Sequence, residues 1–229
     1  MKNIVDYAGY TRAEFEKQPL NAVDSLILSQ LSYYHFPIKA SSVLTWEGAK
    51  LCDLPAVCDY DKMLFDVWNP KQSRELFEIM AANPRYKNII VKGYEESTNA
   101  KDEKQFSAVT FQLSEDAFYV AFRGTDSSLI GWKENFNMAY QLPVPSQTEA
   151  GYLEAAAQNC RGKIYVGGHS KGGNLAVYAS AFASDEVKKR ICKIYSHDGP
   201  GFLTDVTNRD EYKAIERLID KTVPQSSLV

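Results

Sequence analysis

Gly168-His169-Ser170-Lys171-Gly172 is a G-x-S-x-G sequence, and its serine is of the type and spacing that could act as a nucleophile. An apolar run, Ile164-Tyr165-Val166, precedes it, and a helix-like run through Leu175, Ala176, Tyr178 and Ala179 follows. That order predicts a strand, a glycine-packed turn and a helix opening at Lys171 or Gly172, with the serine hydroxyl pushed clear of the backbone. Small residues are required on both sides because strand and helix approach closely there, and glycine alone adds no Cβ. The first N–H groups of the helix have no intrahelical acceptor and sit at the positive end of its dipole. Those are the parts of an oxyanion site. A glycine-rich strand–helix connection would produce the same five residues, so the flanking context carries the signal.

A serine hydroxyl needs a base to take its proton and an acid to orient that base. When an elbow of this kind carries the serine, the acid and the histidine follow it in the chain. The chain has three histidines. His35 is expected near a helix C-terminus, where the ring favours the dipole. His169, the second residue of the elbow, should point away from the serine hydroxyl and pack beneath the turn. His197 stands beside Asp198, but no loop acid precedes it after the elbow, since Asp185 and Glu186 open a helix. Two acids are candidates. Asp198 ends the strand after the elbow helix, at the carboxyl edge where such sheets place their chemistry, and could equally be a turn residue before Gly-Pro. Asp220, before Lys-Thr-Val-Pro224, is the second. With no suitable histidine after the acid, and an apolar ending at VPQSSLV, the expectation is a chain truncated at its C-terminus, with the base on a segment beyond Val229.

An oxyanion hole takes a second N–H from a loop after an earlier strand. Phe122-Arg123-Gly124-Thr125-Asp126 falls there, so Lys171 and Thr125 are the expected donors; a tight turn at Gly124 is the plainer alternative. The GGHSKGG run lacks the G-x-x-x-x-G-K-[ST] spacing of a phosphate-cradling loop. Lys171 is a poor base for its neighbour, because adjacent side chains at a helix start diverge.

The elements that must position these residues follow from periodicity. Residues 1–20 read as an extended arm. Asn21 and Asp24 cap a helix over 22–35, with Val23, Ile27, Leu31 and Tyr34 at helical spacing and Pro37 ending it. Residues 38–70 are irregular, with a short helix near Trp46–Cys52, and Trp46 and Trp68 read as core anchors. A helix over 72–82 ends at Asn83-Pro84. Ile89–Tyr94, Phe106–Leu113 and Phe118–Arg123 are β-rich and form an antiparallel meander. A helix near Gly131–Met138 and the Pro143–Pro145 loop come next, then a helix of about 147–160 behind a Ser146/Glu149 capping box. The elbow strand and helix follow, then a basic helix 185–190, a strand 191–196 and a final helix of about 209–219. Strands alternating with helices after position 145 imply parallel β-α-β units. The class is α/β, with one dominant sheet in a single domain, residues 1–85 mainly helical and 86–229 its sheet core.

Composition excludes more than it identifies. The 26 basic and 29 acidic residues leave −3 with no block of like charge, so neither nucleic acid nor an anionic membrane is expected as a partner. No apolar run is long enough for stable membrane insertion, and no signal peptide is evident. The four cysteines are scattered, without metal-ligand spacing or the density of a disulfide scaffold, which suits reduced thiols in the cytoplasm.

FRGTD, then SSLIGWKENF, then GGHSKGGNLA together resemble the class 3 lipases of the α/β-hydrolase superfamily. With NAVDSLILSQLSYYHF and IYSHDGPGF added, nearly the whole chain is similar to a bacterial family of lipase-like α/β-hydrolases. The resemblance implies an α/β-hydrolase fold: a mostly parallel central sheet with an antiparallel N-terminal meander and helices on both faces. It implies Ser170 as nucleophile and Thr125 and Lys171 at the oxyanion hole, and it puts Asp198 in a DGPGF motif. Class 3 lipases carry their acid in D-x-V-P; here Asp220 stands four residues before Pro224 instead of three. The expected substrate is a small-molecule ester or acyl lipid, with no metal or organic cofactor implied. The competing expectation is a non-catalytic hydrolase fold that binds a ligand or partner protein.

Overall fold

The computed structural model describes residues 3–36, 42–99, 104–125 and 151–224. Among the described residues seven strands form one sheet in sequence order: β1 (Ala49–Lys50), β2 (Ile90–Asn99), β3 (Lys104–Ser114), β4 (Ala117–Phe122), β5 (Lys163–His169), β6 (Ile191–His197) and β7 (Ile219–Thr222). Pairing is antiparallel from β1 to β4 and parallel from β4 to β7. The predicted meander and the predicted parallel half are both present, and they meet at β4.

Phe118 to Phe122 are all buried, the pattern of a strand covered on both faces. Tyr119 and Ala121 join a core beneath α1 (Ile4–Tyr10), α2 (Ala22–Leu31) and α3 (Pro70–Ala82). Phe118, Val120 and Phe122 join a second core beneath α4 (Tyr152–Asn159) and α5 (Lys171–Phe182). A short helix, α6 (Asp185–Arg190), returns the chain to β6, and α7 (Asp210–Ile215) leads to β7.

Several local expectations fail for identifiable reasons. Residues 1–20 are not a plain arm, because Asn3 and Asp6 form a reciprocal capping box that starts α1. Its Ala8 is buried, and the Ala8 carbonyl accepts from Asn83 Nδ2 at 2.6 Å. Near Trp46–Cys52 the chain pairs briefly as β1 and then makes a 3₁₀ turn over Leu51–Ala56. Helix α2 stops at Leu31, and Val23 is 37% exposed while Ser25 and Ser29 are buried. The stripe read from apolar residues was thus offset, because this helix turns hydroxyls as well as methyls to the sheet. Trp46 is partly buried against Tyr152, with ring centroids 5.8 Å apart. Trp68 is no core anchor; it is 91% exposed. The last helix ends at Ile215, and residues 219–222 instead add an edge strand to β6. The expected helix near 131–138, the 143–145 loop and the Ser146/Glu149 cap lie outside the described residues.

Helix α2 also holds a buried ion pair. Arg85 Nε donates to Asp24 Oδ1 at 2.9 Å, Tyr86 OH donates to the same oxygen at 2.8 Å, and both charged side chains are 0% exposed. Arg85 also donates to the carbonyl of Gln18 at 3.0 Å, which ties the segment before α2 to the turn after α3.

Candidate active site

Strand β5 ends at His169 and α5 begins at Lys171, so Ser170 is the whole turn. Its backbone sits at φ 54, ψ −128, a left-handed conformation that costs a non-glycine residue energy. The glycines on either side are required by contact. A Cβ on Gly168 would lie 2.4 Å from the Gly172 carbonyl carbon, and one on Gly172 would lie 2.1 Å from the Phe122 oxygen. The Ser170 N–H donates to the His197 carbonyl at 2.8 Å, fastening the turn to β6, and the side chain does not cap the helix.

The loop after β4 passes against this turn. A Cβ on Gly124 would meet Tyr33 OH at 2.0 Å and the His169 carbonyl at 2.5 Å, so glycine lets the two segments touch. Thr125 follows, at the end of the described stretch. Lys171 is the first residue of α5, and its N–H is one of those a helix leaves without an internal acceptor. Its side chain runs inward, fully buried, and Nζ donates to the Gln105 carbonyl at 2.6 Å. The ammonium is therefore held at the start of β3.

Arg123, 2% exposed, holds this loop from below. Its Nη1 stands 2.7 Å from Glu96 Oε1, an ion pair whose N–H does not point along the contact. Glu96 also takes bonds from Tyr94 OH at 2.6 Å and His35 Nδ1 at 3.1 Å. Burial alone would raise the Glu96 pKa, but the His35 bond, the Arg123 charge and the Tyr94 bond together push it down from 4.5 to about 2. His35 thus acts through this carboxylate, past the end of α2.

Parallel register places the remaining candidates. His169 pairs with His197, and His197 pairs with Thr222. Ser170 and Asp198 are therefore the next residues beyond two adjacent strand ends. Asp198 has φ 52, and its N–H donates to the Thr222 carbonyl at 2.7 Å. Gly199 packs on the first turn of α5, where a Cβ would meet Ser196 Oγ at 2.5 Å, and Asn174 Nδ2 donates to the Pro200 carbonyl at 3.1 Å. The DGPG turn is thus clamped to the elbow helix. Asp220 is not brought to this edge. It pairs with Tyr195, two residues back from the strand end, and its carboxylate lies 3.4 Å from Lys193 Nζ.

His169 Nδ1 is 3.0 Å from Tyr33 OH. Burial lowers its pKa against the opposing pull of Asp198. His197 is buried between Ser25 Oγ at 2.9 Å from Nε2 and Thr222 Oγ1 at 2.7 Å from Nδ1. Tyr119 OH extends that network to Ser25 at 2.8 Å and Ser29 at 2.9 Å. Burial, and then the nearby His169, push the His197 pKa down from 6.5 to about 4, against Asp220. A lowered histidine pKa means the unfolded chain binds more protons between those two values. Stability should therefore fall as the pH drops from 6.5 to 4, by on the order of 3 kcal/mol from this residue. Urea midpoints measured across that window should decline for the natural protein and flatten in His197→Gln; an identical slope in both would refute the assignment.

Beside the elbow lies a cleft of about 410 Å³ lined by Ile4, Leu26, Gln30, Tyr33, Trp68, Thr125 and His169. Tyr33, Trp68 and the Glu96–Arg123 pair went unread as site residues. Tyr33 lies in the SYYHF stretch, part of a motif that carried the family resemblance but pointed to no site role for this residue.

Residues 80–229 match the Mbeg1-like family. The chain belongs to the Mbeg1-like family. No curated protein matches this Mbeg1-like sequence with significance. Among solved structures, a fungal lipase in complex with an inhibitor, described as a model for interfacial activation in lipases, superposes with a TM-score of 0.53 at 14% identity, covering 91% of this chain and 72% of that one. M37 lipase gives a TM-score of 0.48 at 15% identity over 89% of this chain and 67% of its own. On the superposition with the fungal lipase, the Mbeg1-like chain has an α/β-hydrolase fold, the class that the resemblance implied. Among its described residues no helix is long and apolar enough to cross a membrane.

Proposed function

We propose that this Mbeg1-like protein is a serine hydrolase of carboxylic esters, acyl lipids included, with Ser170 as nucleophile. One observation carries the reading: a serine is held at φ 54, ψ −128 at the end of a buried parallel strand, between two glycines with no room for a Cβ. Strain of that kind persists where it aims a side chain. The lipase-like fold supports the substrate class.

In the proposed route Ser170 Oγ attacks the ester carbonyl while its proton passes to a general base. The bond to the alcohol breaks, the alcohol departs with that proton, and water then releases the acyl group as a carboxylic acid. The N–H groups of Lys171 and Thr125 hold the oxyanion. Asp198 is our assignment for the acid, ahead of Asp220, whose carboxylate faces Lys193. None of the three histidines is assigned as the base: both ring nitrogens of His197 are engaged by Ser25 and Thr222, His169 Nδ1 lies against Tyr33 OH, and His35 is bound to Glu96. We place the protein in the cytoplasm, in keeping with Cys52, Cys58, Cys160 and Cys192 as free thiols.

A fluorescent fluorophosphonate tests the nucleophile. Protein expressed from its complete reading frame should be labelled at Ser170, and Ser170→Ala should not. No adduct on the natural protein would turn the reading to a non-catalytic hydrolase fold that binds a ligand or a partner.

A further inference from the structure

The cleft beside the elbow is walled mainly by residues that the family match does not reach. That match begins at residue 80, whereas Ile4 of α1, Leu26 and Gln30 of α2, Tyr33 and Trp68 all precede it. Leu26, Gln30 and Tyr33 recur at helical spacing and so form one stripe, and Gln30 turns its amide to Ser73 Oγ at 3.4 Å. The cleft is polar where Thr125 and His169 bring it to the elbow, and it is walled by Ile4, Leu26 and the Trp68 indole elsewhere. Trp68 is 91% exposed and lies between two left-handed residues, Asp66 at φ 66 and Asn69 at φ 53. A large aromatic left in water at the wall of an apolar cleft marks a surface for an apolar ligand. The volume lies within the range of small-molecule sites.

We propose that this cleft is the acyl-chain site, and that Leu26 and Trp68 determine which acyl lengths are accepted. The ester carbonyl would sit at the Thr125–His169 end and the hydrocarbon would run along Leu26 under Trp68. The identity of the ligand as an ester rests on the hydrolase reading; the apolar character of the cleft does not. Each methylene buried along this wall should raise kcat/KM about fourfold until the cleft is full.

Two measurements decide the proposal. The first is the ratio of kcat/KM for decanoyl over acetyl p-nitrophenyl esters, which general damage to the enzyme leaves unmoved. Leu26→Trp, which fills the cleft, should lower that ratio tenfold or more, and an unaltered ratio would overturn the assignment. The second needs no turnover. Sodium decanoate, below its micellar concentration, should shift the tryptophan emission of the natural protein to the blue, and the shift should vanish in Trp68→Phe. A blue shift without any ester hydrolysis would retain the cleft as an acyl site and reject the hydrolase reading. No shift, or one that survives in Trp68→Phe, would reject the cleft even if Ser170 takes the fluorophosphonate label.

Discussion

Ser170→Gly is expected to abolish ester hydrolysis and, in the same molecule, to raise the unfolding free energy by about 1 kcal/mol. The turn at φ 54, ψ −128 is one that glycine adopts without a Cβ penalty, and holding a side chain there costs about 1–3 kcal/mol. Part of the gain is offset because glycine loses about 0.5–1 kcal/mol more chain entropy on folding. Removing the nucleophile should lower kcat by three orders of magnitude or more. Ser170→Ala should lose the same activity with stability little changed, since it keeps the Cβ. Urea unfolding of the three proteins and an ester assay check both halves. A glycine variant less stable than the natural protein would refute the strained turn, and one that still hydrolyses esters would refute the nucleophile.

Arg85→Met is expected to cost 3–5 kcal/mol, among the largest effects of any single change away from the site. The substitution keeps much of the packing but leaves the Asp24 carboxylate buried with only Tyr86 OH and its capping N–H as polar partners. A charge left unpaired in the interior loses its Coulomb partner and keeps its desolvation cost. For a chain of this size the loss corresponds to a fall of about 6–20 °C in Tm. Adding Asp24→Asn should restore part of it, because no charge is then stranded, and the difference between single and double variants measures the coupling. A Tm within about 2 °C of the natural value for Arg85→Met would mean that the pair contributes little. The outcome also bears on the site, since Asp24 caps the helix that delivers Ser25 to His197 and presents Leu26 to the cleft.

Much of the parallel half was legible locally. A five-residue apolar stretch such as Phe118–Phe122 reads as a strand whatever surrounds it, and GGHSKGG reads as an elbow because only glycine tolerates those approaches. Edge elements were harder. Ile219–Thr222 has no strong alternation, and it becomes a strand only because β6 offers an open edge. Helix α2 misled in a different way: its buried stripe was read from Val23, Ile27, Leu31 and Tyr34, but Ser25 and Ser29 also turn inward, to Tyr119 and His197.

The sequence alone determined the α/β class, the elbow at Ser170, the loop at Gly124-Thr125 that lies against it, and the placing of Asp198 after β6. Each of those depends on neighbours within a few residues, where glycine sterics and side-chain periodicity act. Tertiary structure alone decided that Asp220 faces Lys193, that each histidine already has a partner, that Trp68 stands in water, and that the cleft is built from helices far from the elbow in sequence. Those outcomes depend on which side chains meet across the sheet from positions up to 172 residues apart, and no local pattern encodes such meetings.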